Sequence, residues 1–457
     1  MSEMQSFLKS VGFKDLENWS VQYFLETSFS YNESYPLVKI GSFLTRNKTQ
    51  IIIQDDIEYK RVTIKINNGG IFLRDKKIGK EIGTKKQFVI KKGQFLLSKI
   101  DARNGAFGVV TAEVDEAIIT GNFWTFDVDY TQINPHFLSL ITTTKEFIRF
   151  CANASNGTTN RHYLQEEAFL NVKIPLPLPQ QQEEILKKYN DKIELAKQQE
   201  QKVKDIEESI EDYLFKELSI EKIEVKKEKN GLQFVEFKTI YEWGVDKIFG
   251  ELDFSSRKYD TVSFIKNENL FIDIFRGKSP KYKADTKKII LNQKCNRWNE
   301  IQLEYTKTVD EEWFEKIDKN FFTKENDILI NSTGEGTIGR ASNIYKEYSN
   351  LLYDSHLLLL RLNHSLVNSE YFAYLFNSFY GQQQVDKIKS AQATKQTELG
   401  VNNLKKIVFP LPPLNIQKKI ANEITKRKEK IKQLKNEAQT NREKAIKEFE
   451  EEIFDEA

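Results

Sequence analysis

Cysteine and histidine are scarce: two and four residues in a chain of 457. Cys151 and Cys295 stand far apart, so the spacing suits neither a disulfide framework nor a zinc knuckle, and a reducing cytosol is the expected home. His136, His162, His356 and His364 make no ligand cluster along the sequence, and no metal site is expected. Long apolar runs are missing too, so no membrane-spanning segment is expected. The start, MSEMQSFLKSVGFKD, lacks the basic, apolar, small-residue succession of a secretory leader. A charge excess of one sign is also absent: 69 Lys and Arg face 67 Asp and Glu, a net charge of +2. Any nucleic-acid surface must therefore be a local patch. There is no GxxxxGK[ST], no HExxH, no G-x-S-x-G, and no NPPY- or DPPY-like tetrapeptide. These absences leave ATP binding, zinc hydrolysis, a serine nucleophile and base methylation without their usual residues.

One catalytic motif is present on paper. NSTGEGTIGR, residues 331–340, contains G-x-G-x-x-G at Gly334, Gly336 and Gly339. A dinucleotide loop must follow a strand and open a helix. The strand is plausible in NDILI, but the residues after the glycines read as further strands, Ile344-Tyr345 and Leu357 to Leu362. A turn between two strands, where glycine supplies positive φ at little cost, fits better than a cofactor enzyme.

A repeat supports that reading. Trp19 and Trp243, Tyr35 and Tyr259, and Val38 and Val262 share an offset of 224 residues. Pro175 and Pro410, Pro177 and Pro412, Gln182 and Gln417, and Ile185 and Ile420 share 235. Between them, KKGQFLLSKIDARNGAFGVV aligns with KENDILINSTGEGTIGRA, Gly105 and Gly108 matching Gly336 and Gly339. The whole chain is one unit of roughly 230 residues written twice, too long for a solenoid repeat.

Each copy begins with short β-branched and aromatic runs separated by Gly and Asn turns: VTIKI, QFVIKKGQFLLSKI and FWTFDV in one, NLFIDIF, NDILINS and LLLLRL in the other. One helix is expected next, HFLSLITTTKEFIRFC or SEYFAYLFNSFYGQQQV. The expected class is α+β with mainly antiparallel sheet. Each copy ends in a proline-punctuated segment and a long charged helix, about 180–218 and about 414–454. Ile185, Val203, Ile206 and Ile210 mark the apolar seam of the first. Ile424, Ile431, Leu434 and Phe449 mark that of the second. A single stripe of that length needs a partner, so the two helices are expected to pair as an antiparallel coiled coil about a pseudo-twofold axis.

The double occurrence of IPLPLPQQQEEI and FPLPPLNIQKKI before two heptad helices resembles the specificity subunits of type I restriction-modification systems. The strand-turn segments GQFLLSKIDARNGAFG and NDILINSTGEGTIG and the opening YPLVKIGSFL belong to the same resemblance. It covers essentially the whole chain. It implies two target recognition domains, residues 1–178 and 226–412, and two long helices, 179–225 and 413–457. It further implies a non-catalytic subunit that reads a bipartite target in double-stranded DNA. Two methyltransferase subunits, and in some systems restriction or motor subunits, would assemble on it. S-adenosylmethionine would belong to the former, ATP and magnesium to the latter. A specificity factor of another methylation-based phage-defence complex, or a coiled-coil scaffold without DNA readout, are the alternatives.

DNA contacts are expected from basic and polar loops, with Lys and Arg on phosphates and Arg, Asn or Gln on base edges. The first copy offers Lys76, Lys77, Lys80 and Lys85 in one segment, and Lys99, Arg103 and Asn104 in a turn. The second offers the loop of Arg276, Lys278, Lys281, Tyr282 and Lys283, and the turn of Ser332, Thr333 and Arg340. Matching small, polar segments contribute Asn160 and Arg161 in one copy, Lys395 and Gln396 in the other.

Overall fold

A computed structural model describes residues 31–156, 163–221, 254–334, 336–389 and 398–454. The chain divides into two compact units, Met1–Gln199 with Glu437–Ala457, and Glu200–Asn436.

The strands of the first copy are β1 (Leu37–Lys39), β2 (Leu44–Asn47), β3 (Gln50–Ile52), β4 (Glu58–Lys65), β5 (Gly70–Ile78), β6 (Lys86–Val89), β7 (Phe95–Ser98), β8 (Phe107–Val109), β9 (Ile118–Ile119), β10 (Phe123–Val128), β11 (Ser155–Asn156), β12 (Tyr163–Leu164) and β13 (Lys173–Pro175). Its helices are α1 (Pro135–Ile141), α2 (Lys145–Asn153), α3 (Glu166–Asn171) and the 40-residue α4 (Pro179–Leu218). The second copy supplies β14 (Thr261–Ser263), β15 (Phe271–Arg276), β16 (Ile289–Leu291), β17 (Lys307–Thr308), α5 (Glu311–Glu315), β18 (Ile328–Asn331), β19 (Ala341–Asn343), β20 (Leu352–Tyr353) and β21 (Leu357–Leu362). There follow α6 (Ser369–Asn377), α7 (Phe379–Lys389), α8 (Val401–Leu404), β22 (Val408–Pro410) and the 40-residue α9 (Leu414–Ile453).

The two copies share a strand order. An antiparallel sheet β2-β10-β7-β8 in the first is matched by β15-β21-β18-β19 in the second. Phe95 lies opposite Phe126 and Val109, as Ile328 lies opposite Leu360 and Asn343. The strands β7, β18 and β21 are largely apolar because both of their faces are covered; every residue of each is buried, Ser98, Asn331 and Arg361 included. A second sheet differs in size: β3-β6-β9-β4-β5 against β17-β16-β20. Each of these contains one parallel pairing, β4 with β9 and β16 with β20. A short β1–β13 ribbon, repeated as β14–β22, ties the start of each copy to its proline segment. Val38 there faces Ile174 and Val262 faces Phe409.

The glutamine of each proline segment is a buried joint. The Gln182 amide donates to the carbonyls of Gln132 (2.9 Å) and Pro177 (2.8 Å), and its Oε1 accepts from the backbone N–H of Asn134 (2.8 Å). Gln417 repeats all three with Leu366 (2.9 Å), Pro412 (2.8 Å) and Asn368 (2.8 Å). Asn134 and Asn368 are the N-caps of α1 and α6. One side chain thus fixes a capped helix against the start of the long helix, with both amide hydrogens and the carbonyl oxygen bonded.

A helix of 40 residues spans about 60 Å. In the first unit Ile185, Leu186 and Tyr189 of α4 pack with Phe449 and Ile453 of α9, and Lys192 meets Glu448 at 2.6 Å. In the second, Val203, Ile206 and Ile210 of α4 pack with Ile431 and Leu434 of α9. Ile424 lies in the main core of that unit with Leu214. The early half of α4 therefore accompanies the late half of α9, and the reverse holds in the other unit: the pairing is antiparallel.

Two details differ from the sequence reading. The single helix expected before each proline segment is two. Thr142, Thr143 and Thr144 turn their hydroxyls onto carbonyls three residues back, and Thr144 caps α2 through the N–H of Phe147. Ser378 bonds Leu375 in the same way at the α6–α7 break. The glycine alignment also shifts. Gly105 (φ +75°) closes its turn just before β8, and Gly339 (φ +81°) does so just before β19. The equivalents are therefore Gly105 and Gly339, whereas Gly108 lies inside β8. The residues from Ser332 to Arg340 join two antiparallel strands and open no helix.

Candidate nucleic-acid interface

In both copies a turn links the central strand to the edge strand of the four-stranded sheet. In the first, Ala102–Asn104 form one turn of 3-10 helix ended by Gly105. A Cβ at Gly105 would meet Asn68 Oδ1 at 2.5 Å, because the tip of the β4–β5 hairpin docks there. The backbone N–H groups of Asn67 and Asn68 donate to the carbonyls of Asn104 (2.7 Å) and Gly105 (3.0 Å). Asn67 and Asn68 both take positive φ, the conformation a tight hairpin demands. Around this contact stand Lys99, with its ammonium over the Tyr163 ring (5.2 Å), the exposed Asn104, and Lys65 over Phe72 (4.2 Å). Ile66 is half exposed at the tip. Arg103 belongs to the same turn.

Lys76, Lys77, Lys80 and Lys85 lie at or beyond the other end of this hairpin. Six residues of strand separate Gly70 from Lys76, about 20 Å. Lys76 faces Glu58 and Lys77 faces Glu81, each at 4.0 Å. Lys85 bonds Asp55 (2.5 Å) and the Gly79 carbonyl (2.8 Å). Lys80 is exposed and makes no ion pair among the described residues. These lysines are not gathered with Lys99 and Arg103, and Lys85 has a local structural use.

In the second copy the turn of Ser332 to Gly339 is the hub. Ser332 is fully buried, and its Oγ donates to the Leu399 carbonyl (3.0 Å) and faces Glu398 (3.2 Å). In this geometry Ser332 anchors the turn rather than offering its hydroxyl outward. Its backbone carbonyl accepts from the Leu399 N–H (2.8 Å), as the Lys99 carbonyl accepts from Leu164 (2.8 Å). Thr333 Oγ1 meets His356 Nδ1 at 2.7 Å. Arg276 reaches the same place and pairs with Glu398 at 2.6 Å. Arg340 donates from Nη2 to the Gly336 carbonyl (3.1 Å) and lies over Trp298 (5.7 Å). Burial first, and then the neighbouring Arg297 guanidinium, push Arg340 below its ordinary value.

The rest of the basic loop runs away from this hub along a different contact. Lys278 stacks on Phe321 (3.5 Å), Tyr282 bridges to Val309, and Lys307 covers the Tyr282 ring (4.6 Å). Lys283 pairs with Asp310 (3.0 Å). The Asp310 carboxyl is held below the usual range by the Trp313 N–H and by Lys283. Lys281 is exposed without an ion pair among the described residues. Asn160, Arg161, Lys395 and Gln396 lie outside the described residues. Their segments precede Tyr163 and Glu398, which sit at the two turns just described.

The sequence reading did not single out Arg297, Trp298 and Tyr305, which lie beside the second turn, or the β4–β5 hairpin tip beside the first. The signals were present: an Arg-Trp pair between asparagines in CNRWNE, and the NNGG turn after VTIKI. Among the described residues no group of three or more His, Cys, Asp or Glu could hold a metal ion, and no helix is long and apolar enough to cross a membrane.

Comparison with known proteins gives three results. The family described as the type I restriction modification DNA specificity domain matches residues 32–205 and again 265–441. A protein named as a type I restriction enzyme MjaX specificity subunit, from Methanocaldococcus jannaschii, is 34% identical over 96 residues, covering 21% of this chain and 22% of that one. A chain solved in a study of complex assembly and conformational transition of the type I R-M system shares the fold, with a TM-score of 0.57 and 14% identity over 93% of this chain and 97% of its own. A crystal structure of the HsdS subunit from Thermoanaerobacter tengcongensis aligns at 14% identity with a TM-score of 0.46 over 94% of this chain and all of its own.

Proposed function

The chain belongs to the type I restriction-modification DNA specificity family, and from that premise we propose that it reads a bipartite target in double-stranded DNA. Each copy would read one half, through the turn that leaves its central strand. Residues 1–178 and 226–412 would be the two recognition domains, and 179–225 and 413–457 the helical ruler that sets the gap between half-sites. Two methyltransferase subunits would dock on that ruler and supply S-adenosylmethionine for adenine methylation. Restriction or motor subunits would bring ATP and magnesium. The chain itself would carry out no chemistry, and it would work in the cytoplasm on DNA.

The observation that carries this reading is the repeated unit. Two sheets of the same strand order, each joined to a long helix by the same buried glutamine, end in turns of different polar and basic composition. A constant frame with unlike tips is what reading two different half-sites requires. The test is co-expression with the methyltransferase encoded beside this gene, followed by single-molecule sequencing of modified bases. A two-part motif with methyladenine in each half, lost on deletion of this gene, is the expected result. A stable complex that leaves no motif would reject the reading.

A further inference from the structure

The second unit holds two arginines in an unusual setting. The chain has nearly as many acidic as basic residues, 67 against 69. Yet neither Arg297 nor Arg340 meets a carboxylate within ion-pair distance among the described residues, although many other cations of the chain do. Arg297 is held by Gln302 Oε1 (Nε donating, 3.0 Å) and lies over the Tyr305 ring (4.9 Å). Arg340 is held by the Gly336 carbonyl and lies over Trp298. Trp298 is 44% and Tyr305 40% exposed. Large aromatic faces left in water beside guanidiniums with no carboxylate partner among the described residues are a costly arrangement unless something covers them.

A second observation points the same way. In the same segments, Arg340 Nε, Gln293 Oε1 and Asn299 Oδ1 are buried without any hydrogen-bond partner. Native interiors leave few such atoms, and each calls for an explanation. Gln293 Oε1 lies beside the same turn as Arg340, so close that a Cβ at Gly334 would sit 2.6 Å from it. The backbone is fixed as well. Asn296 Nδ2 bonds the carbonyls of Leu329 (3.1 Å) and Arg340 (2.9 Å), and the Asn299 N–H bonds the Ala341 carbonyl (3.0 Å). Both arginines therefore spring from a rigid platform, the condition under which a planar donor fork discriminates between acceptors.

We propose that Arg297, Trp298 and Arg340 form the base-reading element of the second recognition domain, and that it takes the edge of a guanine in its half-site. The inference rests on the DNA reading given above. Guanidiniums only donate, and guanine O6 and N7 offer two acceptors on one edge that match the fork. Trp298 supplies a flat apolar surface that packs beside the arginine over the contacted step. The corresponding place in the first copy, the β4–β5 hairpin tip, carries Lys65, Phe72 and Asn68, and the turn beside it carries Arg103, so one arginine stands where the second copy has two. The two half-sites are therefore read by different chemistry.

The test is selection from a randomised duplex library by the intact complex of this chain with its methyltransferase. The variants are Arg297→Gln, Arg340→Gln and Trp298→Ala. The expected result is that preference at one or two G·C pairs in one half falls about ten- to hundredfold, while selection in the other half is unchanged. That retained half also reports a folded, assembled complex. If all variants select the wild-type motif, the inference is overturned and the DNA reading stands. A uniform loss of affinity with an unchanged motif also overturns it, because that is the signature of phosphate contact. If the wild-type complex selects no motif, the DNA reading itself fails. Arg297→Lys, which keeps the charge but not the fork, should relax the same positions as Arg297→Gln.

Discussion

The first and second copies solve one packing problem with different chemistry. At the turn entering the central strand, Gln94 Oε1 accepts from the Lys91 N–H (2.8 Å), and Asp327 Oδ2 accepts from the Lys324 N–H (2.7 Å). Across the sheet the partners diverge. Gln94 donates to Asp127 (2.6 Å), whereas Asp327 takes a bidentate bond from Arg361 (2.9 and 2.7 Å). The neutral–acidic pair of one copy is an acidic–basic pair in the other, buried at 1% and 9% side-chain exposure. Arg361 fills its remaining capacity with the carbonyls of Phe322 (3.1 Å) and Asn320 (3.3 Å). Burial alone would lower Arg361, but the bond to Asp327 holds it above its ordinary value. The backbone frame was kept while the side chains on it were exchanged. The turns that leave the central strands differ by the same rule: Lys99 stacks on Tyr163 where the second copy has Ser332, Glu398 and Arg276.

That comparison can be broken, beginning with the largest effect. Asp327→Ala leaves Arg361 charged and buried, and should cost about 3–5 kcal/mol. Gln94→Ala removes a neutral partner and should cost about 1–3 kcal/mol. Hydrogen exchange at β7 and β18 measures each site separately; equal losses would contradict the claim that the position was rewired from a polar to an ionic pair. Next come Gln182→Ala and Gln417→Ala. Each strands three main-chain groups, and each should cost on the order of 2–4 kcal/mol. Here the prediction is equality: a large difference in protection of the Asn134 and Asn368 amides would end the idea of a shared joint. Smaller still is Arg276→Ala with Lys278→Ala, which should lower the slope of log affinity against log salt by at most about 2. Fluorescence anisotropy of the intact complex over a salt series reads this, and an unchanged slope would remove both side chains from the DNA surface. Least of all, Glu398→Gln should alter stability by less than about 1 kcal/mol, since its pair with Arg276 is part exposed. It should also tighten DNA binding a few-fold at low salt by releasing Arg276.

Repetition made most of the fold legible. Pro175 with Pro410 and Gln182 with Gln417 placed both long helices to within a residue or two, because prolines and an unbroken charged run are local signals. The largely apolar strands β7, β18 and β21 were legible as well, from their short apolar runs. The turn after β18 was read as a link between two strands, because no helix pattern followed its glycines, and it joins β18 to β19. What escaped was whatever depends on pairing across long distances. The sequence cannot show that Ser332 is consumed by Leu399, that Lys85 is tied to Asp55, or that Arg276 is neutralised by Glu398. Nor could it show that Arg297 and Arg340 come together, because they stand 43 positions apart and are joined by bonds from Asn296 to the Arg340 carbonyl, from Asn299 to the Ala341 carbonyl and from Ser342 to the Arg297 carbonyl. The Thr142–Thr144 break was missed because hydroxyls that bond back onto a helix leave its apolar pattern intact.

The central claim is that the two copies read two half-sites independently. The most direct measurement sequences methylated bases in cells carrying the wild-type chain, a Lys99→Ala, Arg103→Ala variant, or an Arg297→Gln, Arg340→Gln variant, each with the same methyltransferase. The account predicts a two-part motif in which each double variant degrades one half only, and a different half in each case. Loss or relaxation of both halves together in either variant would contradict it.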